Sequence, residues 1–254
     1  MNEVRQLRAP NPGPFTLDGT NTYIIGRLVI DPGPAIESHI DRILEQAPGV
    51  EAILVTHRHA DHAPGALSLH AHSNARVYAP RGVLDDGIVT KRLRDGMIIK
   101  CGKVRIEAIA TPGHTREHYC FLTDNGDLFT GDTVLGEGTT AVFPPDGDMG
   151  DYLASLRRLQ ERNPARIFPG HGPVREDAME LLGQYLEHRM MRDGQISAVL
   201  QRGKAMSIDE LRSTVYPDLG ADLEAAADAQ LLAHLLHLIE RGIVRQSGER
   251  FAAA

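Results

Sequence analysis

The stretch Thr56-His57-Arg58-His59-Ala60-Asp61-His62 constrains this chain more than any other. It follows Glu51-Ala52-Ile53-Leu54-Val55, an apolar run that reads as a buried strand. Pro64 then sits in the first turn of what reads as a helix. The cluster therefore occupies a strand-to-helix turn, where α/β proteins place their chemistry. On an extended segment His57 and His59 point the same way and can share one metal ion. Asp61 and His62 come after the chain has turned and can serve a second position. Imidazole and carboxylate ligands suit zinc, which in catalytic sites keeps one position for water.

Three more strand ends repeat the pattern. A strand over 104–109 runs into Thr111-Pro112-Gly113-His114-Thr115. A hairpin over 118–122 and 128–130, with Asn125-Gly126 at its turn, ends at Gly131-Asp132. A short strand over 166–168 ends at Pro169-Gly170-His171-Gly172. Gly, Pro or Thr beside each of these residues lets the backbone turn sharply. His57, His59, Asp61, His62, His114, Asp132 and His171 are thus the candidate metal ligands. Their partition between two ions is not readable from spacing.

Elsewhere the spacing predicts a first strand over 1–8, a Pro/Gly/Asn-rich loop over 9–22, and a hairpin over 23–33. Helices are predicted over 35–46, to about 71 after the His loop, and over 151–161. Strands are predicted over 76–79 and 97–99, while 80–96 carries no clear period. From Val174 the character changes to a long charged helix to Leu200. A helix opened by Ser207 with Glu210 in capping-box spacing follows, then an apolar helix over 223–241 and a hairpin turning at Gly248. The division expected is a catalytic domain over 1–173 and a long helix plus winged-helix-like domain over 174–254.

In these local contexts the seven ligands resemble the metallo-β-lactamase superfamily. The loop Asn11-Pro12-Gly13-Pro14-Phe15-Thr16-Leu17-Asp18-Gly19-Thr20-Asn21-Thr22-Tyr23, the segment Gly136-Glu137-Gly138-Thr139-Thr140 and His188-Arg189 resemble its β-lactamase-like protein 2 branch. That branch includes endoribonucleases specific for single strands, and similar domains serve as thioesterases. The resemblance implies an α/β fold, an αββα sandwich followed by a small, mainly α winged-helix-like domain. It implies two Zn2+ ions, with Mn2+ or Fe2+ as other divalent occupants, activating a bridging hydroxide. His57, His59 and His114 are implied to hold one ion and Asp61, His62 and His171 the other, with Asp132 bridging. Asp61 is the expected catalytic carboxylate and His118 an expected ligand partner or proton donor. Thr20, Asn21, His188 and Arg189 are the expected substrate contacts. His39, His70, His72, His234 and His237 are expected to be surface or packing residues.

Composition narrows the partners. The formal net charge is −7, and residues 174–254 hold nine Lys/Arg against thirteen Asp/Glu. A domain with that balance lacks the basic face that double-stranded DNA requires. It is expected instead to wall the catalytic cleft or to form a homodimer contact. No apolar run reaches membrane-spanning length. The opening Met1-Asn2-Glu3-Val4-Arg5 lacks the apolar core of a signal peptide, and Cys101 and Cys120 form no disulfide framework. A reduced, cytoplasmic protein without a β-lactamase role is expected. The function predicted is a zinc-dependent hydrolase acting on single-stranded RNA. The alternatives are a thioesterase or ester hydrolase on a small or carrier-bound acyl group, and a non-catalytic binding protein on a hydrolase scaffold.

Overall fold

The computed structural model describes residues 3–254; Met1 and Asn2, the start of the expected first strand and first domain, lie outside the described residues. One sheet runs in the order β1 (Val4–Arg8), β2 (Asn21–Ile25), β3 (Leu28–Ile30), β4 (Ala52–Leu54), β5 (Arg76–Ala79) and β6 (Val89–Arg92). Its first three strands are antiparallel and β3 to β6 are parallel. The second sheet contains β7 (Met97–Cys101), β8 (Val104–Ala110), β9 (Tyr119–Thr123), β10 (Asp127–Gly131) and β11 (Arg166–Pro169). It is antiparallel except for the β10–β11 pair.

The central strands β3 and β4 are covered on both faces and are apolar throughout, while β7 and the first half of β8 alternate buried with exposed residues. In β2, Tyr23 and Ile25 join Leu54, Phe121, Phe129 and Phe168 in the core between the sheets. The intervening Ile24 turns outward and packs with Val29, Ile53 and Val77 against α1 (Glu37–Gln46) and α2 (Gly65–Ser73). On the far side Ile109, Cys120, Leu128 and Ile167 meet α3 (Met149–Glu161) and the first half of α4 (Ala178–Leu200). The result is four layers, helix, sheet, sheet, helix. Burial of Tyr152, Leu153, Leu156 and Leu159 gives α3 its apolar stripe, and Asp148 caps it by accepting from the Asp151 N–H (2.8 Å).

A second, smaller core lies at the C-terminal end. Here α5 (Ile208–Val215), α6 (Glu224–Glu240) and the hairpin of β12 (Val244–Ser247) and β13 (Arg250–Ala253) enclose Leu211, Leu231, Leu235 and Phe251. The Ser207–Glu210 capping box forms in both directions. Helix α4 serves both cores, with Leu182 and Leu186 in the first and Ile196 and Leu200 in the second. The expected boundary at 173/174 therefore falls just ahead of a shared helix, not at a flexible linker. That helix starts at Ala178 rather than Val174 because Arg175 bridges Ile167 and its guanidinium grips Asp177 (2.6 and 2.9 Å). The segment without clear period contains β6, and both cysteines are free and buried. Among the described residues, no helix is long and apolar enough to cross a membrane.

Two of the histidines left aside in the sequence reading are buried and partnered. His234 on α6 donates to Asp193 on α4 (2.7 Å), tying the two helices together. His39 on α1 donates from Nε2 to the Thr22 hydroxyl (2.9 Å), whose proton is committed to the Asp31 carbonyl (2.6 Å). Burial first, then the Arg42 charge, pushes His39 down from 6.5 to about 4. The unfolded chain takes up this proton near pH 6.5, while the folded chain resists until about 4. In that window the unfolded state binds more protons, so stability falls as pH falls. Denaturant midpoints measured between pH 4 and pH 6.5 are expected to decline with acid, and His39→Gln is expected to flatten the slope.

Candidate metal centre

The C-terminal ends of β3, β4, β8, β10 and β11 open onto one edge of the sandwich. Each carries its polar residue there, and the turns hold them in place: Asp31 after β3, His57 and His59 after β4, His114 after β8, Asp132 after β10 and His171 after β11. All seven expected ligands come together. The His57 Nε2–His59 Nδ1 distance is 2.9 Å and the His114 Nε2–His59 Nδ1 distance is 3.0 Å. The His62 and His171 Nε2 atoms are 3.3 Å apart, and Asp61 Oδ2 lies 3.3 Å and 3.2 Å from them. Asp132 lies between the groups. Its Oδ1 is 3.3 Å from His62 Nε2 and 3.4 Å from His171 Nε2, and its Oδ2 is 3.6 Å from His114 Nε2 and 3.9 Å from His57 Nε2.

The tautomers test whether this set suits a metal. His114 Nδ1–H donates to the Ala141 carbonyl (2.7 Å) and His62 Nδ1–H to Asp31 Oδ2 (2.9 Å). Their Nε2 atoms are thereby left as lone-pair donors aimed into the cluster. His59 Nδ1 lies 2.9 Å from His57 Nε2 and 3.0 Å from His114 Nε2 and carries at most one proton, so it cannot satisfy both neighbours, whereas a cation bound by all three imidazoles would. Asp132 Oδ1 is also buried without a hydrogen-bond donor. Burial, with neighbouring imidazoles, holds His57 and His59 below the usual histidine range, so they are neutral. Burial opposes charge on His62 and His171 as well, but Asp132 and Asp61 outweigh it, and His171 is pushed up to about 9. Burial likewise opposes charge on Asp61 and Asp132, yet His62 keeps both carboxyls well below the ordinary carboxylate range. The two carboxylates thus demand positive charge at this spot, and a divalent cation supplies it with release of protons. The residues fit two cations held by imidazole and carboxylate.

Asp31 escaped the sequence reading, which took Asp31-Pro32-Gly33 as a hairpin turn. Its carboxylate accepts from the Thr56 N–H (2.8 Å), the Thr56 hydroxyl (2.7 Å) and His62 Nδ1–H (2.9 Å). It stands in the left-handed region (φ 46), which Asp and Asn tolerate better than most residues. Asp31→Asn keeps the backbone but presents one amide edge to these donors. It is expected to weaken the Asp61/His62/His171 site for metal about 10- to 100-fold, measured by competition with a chelator. A signal existed in the sequence: an acidic residue closing a strand two positions before a glycine.

Other expected site residues have different roles. His118 stands as a partner of the ligand Asp132. It is buried, its Nε2 accepts from the Asp132 N–H (3.2 Å), and its Nδ1 faces the hydroxyls of Thr111 (3.0 Å) and Thr133 (3.2 Å). Nε2 thus holds the Asp132 backbone, and Nδ1 is engaged by the two threonines. Thr20 is buried and donates to Asp61 Oδ2 (2.8 Å), while Asn21 donates to the Pro169 and Gly172 carbonyls (3.0 and 2.8 Å) and braces the His171 turn. Neither lines the open cavity. Arg189 is 1% exposed and binds the Thr139 hydroxyl (2.8 Å) and the Thr140 carbonyl, because its helix packs on the back of that segment. His188 lines a separate surface hollow with Arg175 and Gln184. Thr20, Asn21 and Arg189 brace the scaffold of the site, and His188 stands outside the space above it.

That space is a cavity of about 600 Å³. Its floor is His59, Asp61, His114, Asp132 and His171. Phe15 and Phe143 line its sides together with Tyr216, Leu219, Leu223 and Ala227 of the C-terminal domain. Among the described residues none of the lining side chains is Lys or Arg. The C-terminal domain also touches the floor through one peptide group. The Val142 N–H donates to Gln230 of α6 (3.2 Å), while the Ala141 carbonyl of the same peptide orients His114.

Residues 15–171 match the metallo-beta-lactamase superfamily, and residues 207–252 match the beta-lactamase associated winged helix domain. A beta-lactamase-like protein 2 homolog of Caenorhabditis elegans is 33% identical over 95% of this chain and 85% of its own length. An atrochrysone carboxyl ACP thioesterase of Aspergillus novofumigatus is 33% identical over 85% of this chain and 71% of its own length. A metallo-beta-lactamase family protein of Thermus thermophilus has the same fold, with a TM-score of 0.81 at 21% identity over 99% of this chain and 98% of that one.

Proposed function

The chain belongs to the metallo-beta-lactamase superfamily of metal-dependent hydrolases, and on that premise we propose that it cleaves a neutral ester or thioester with a bulky apolar acyl group. The observation that carries this reading is the cavity above the ligands, whose lining away from the ligands is mostly apolar and holds no Lys or Arg. A polyanion needs Lys or Arg along its track. An acyl group needs apolar walls and a few polar atoms at one end. The thioesterase among the relatives agrees with this reading.

His57, His59 and His114 would hold one ion, Asp61, His62 and His171 the other, with one oxygen of Asp132 toward each group. Zinc suits this nitrogen and oxygen set. When bound, such ions supply Lewis acidity and lower the pKa of water to about 7. The chain's own residues do the rest. Thr20 fixes one oxygen of Asp61, leaving Oδ1 to orient the attacking water. Asp31 and the Ala141 carbonyl keep the imidazole lone pairs turned inward. His118 is committed to Asp132, which favours a leaving group that departs unprotonated. A thiolate does so readily, since a free thiol has a pKa of about 8.5.

Zinc-loaded protein should be offered acyl thioesters from acetyl to decanoyl and naphthoyl, and separately a labelled single-stranded RNA. The expected result is thiol release with kcat/KM at least about tenfold higher for the bulky apolar thioesters than for acetyl. RNA cleavage that disappears in Asp61→Asn, without thioester turnover, would replace this reading with the ribonuclease one. Metal content near zero after purification without chelators would remove both.

A further inference from the structure

Two large apolar side chains are left facing solvent across the mouth of the cavity: Phe15 at 64% exposure and Leu223 at 47%. Exposed apolar surface that rims a concave site marks a place where something apolar docks. Phe15 is edge-on to Phe143, with ring centroids 6.3 Å apart, so the two rings form one aromatic surface. The C-terminal domain's share of the lining is built by the connection between α5 and α6, from Tyr216 through Leu219 to Leu223. That connection is held in place. The Arg192 guanidinium lies over the Tyr216 ring (4.2 Å to its centroid) and donates to the Val215 carbonyl (3.2 Å). Arg212 reaches Glu224 (3.4 Å) and Asp228 on the first turn of α6. This part of the lining is therefore preformed rather than assembled by a ligand.

Accepting the acyl substrate proposed above, we infer that its apolar portion lies among Phe15, Phe143, Leu219 and Leu223. The α5–α6 connection of the C-terminal domain is then the specificity-determining element, selecting uncharged aromatic or long aliphatic groups. The catalytic floor needs no contact with that portion. An occupant with several phosphates finds no Lys or Arg in the lining.

The chain contains no tryptophan, so an introduced indole reports this subsite without any chemistry. Leu223→Trp and, at the aromatic pair, Phe15→Trp should be titrated with octanamide and 2-naphthamide, with acetamide and AMP as controls. Both indoles are expected to shift to shorter emission wavelength, saturably, with the two apolar amides and with neither control. In turnover, Leu223→Trp narrows the space and is expected to lower the naphthoyl-to-acetyl ratio of kcat/KM by about tenfold. Amides that leave both indoles unchanged would overturn the inference, as would AMP shifting them where the amides do not. If no thioester is hydrolysed but the amides still report, the substrate reading fails while the apolar subsite stands. An unchanged naphthoyl-to-acetyl ratio in an active Leu223→Trp enzyme would deny the connection its role in selection.

Discussion

Asp132→Asn is expected to reduce hydrolysis on the order of a thousandfold or more. Asp132 is the one ligand that addresses both groups of imidazoles, Oδ1 toward His62 and His171 and Oδ2 toward His57 and His114. An amide cannot present an anionic oxygen to both sides, and its NH2 would face lone pairs or a cation on one of them. Removing this charge also leaves His62 and His171 short of the partner that outweighs their burial. The metal content of the variant should therefore fall to half or less of the parent's. Elemental analysis, turnover of the bulky thioesters and a circular dichroism spectrum check this together. Full metal loading with full activity in a folded variant would mean that Asp132 does not bridge.

Gly113→Ala is expected to destabilise the fold by about 3–5 kcal/mol and to lower the melting temperature by roughly 10 °C. Gly113 adopts φ +138, a region that side chains rarely enter, and a Cβ there would lie 2.3 Å from Cα and 2.6 Å from N of Tyr152. Those atoms belong to the backbone of α3 and cannot swing aside. The start of α3 is pinned on this spot, since the Asp148 N–H donates to the Gly113 carbonyl (2.9 Å). Relief requires moving either α3 or the turn that carries His114, so metal affinity should fall along with stability. Gly102→Ala is the control. Gly102 also has positive φ (+56) but nothing lies within 4 Å of the added carbon, so only about 1–2 kcal/mol is expected. Differential scanning calorimetry of the two variants should separate them clearly. Similar melting temperatures would show that the close approach of α3 is not what requires glycine at 113.

Much of the site was legible because its signals are local. An apolar run stopping at Gly-Asp, at Pro-Gly-His or at His-x-His states both that a strand ends and that a ligand-type side chain stands at its end. Four such ends on two facing sheets have only one common edge to meet at. Side-chain roles were less legible. His118 has the spacing of a second functional histidine, yet hydrogen bonds to residues just past β8 and β10 engage both its nitrogens. Arg189 lies on a charged helix, but the face it occupies is the one buried against residues 139–140. A helix with polar residues on several faces does not announce which face packs. Asp31 reads as a turn residue because its partner His62 is 31 positions away.

By itself the sequence determined the metal chemistry: four imidazole-bearing or carboxylate-bearing turns, each set by its own strand, glycine and proline. The opening cluster at 57–62 contributes four of the seven candidate ligands, and the rest follow from the same local rule. What the tertiary structure decided is the space above them. Phe15 and Leu223 are more than two hundred residues apart, and no local preference of either segment encodes their meeting. That meeting depends on α4 running through both cores and carrying the α5–α6 connection over the floor of the site. Ligand geometry is a property of strand ends, while the shape and charge of a cavity belong to the packing of elements distant in sequence.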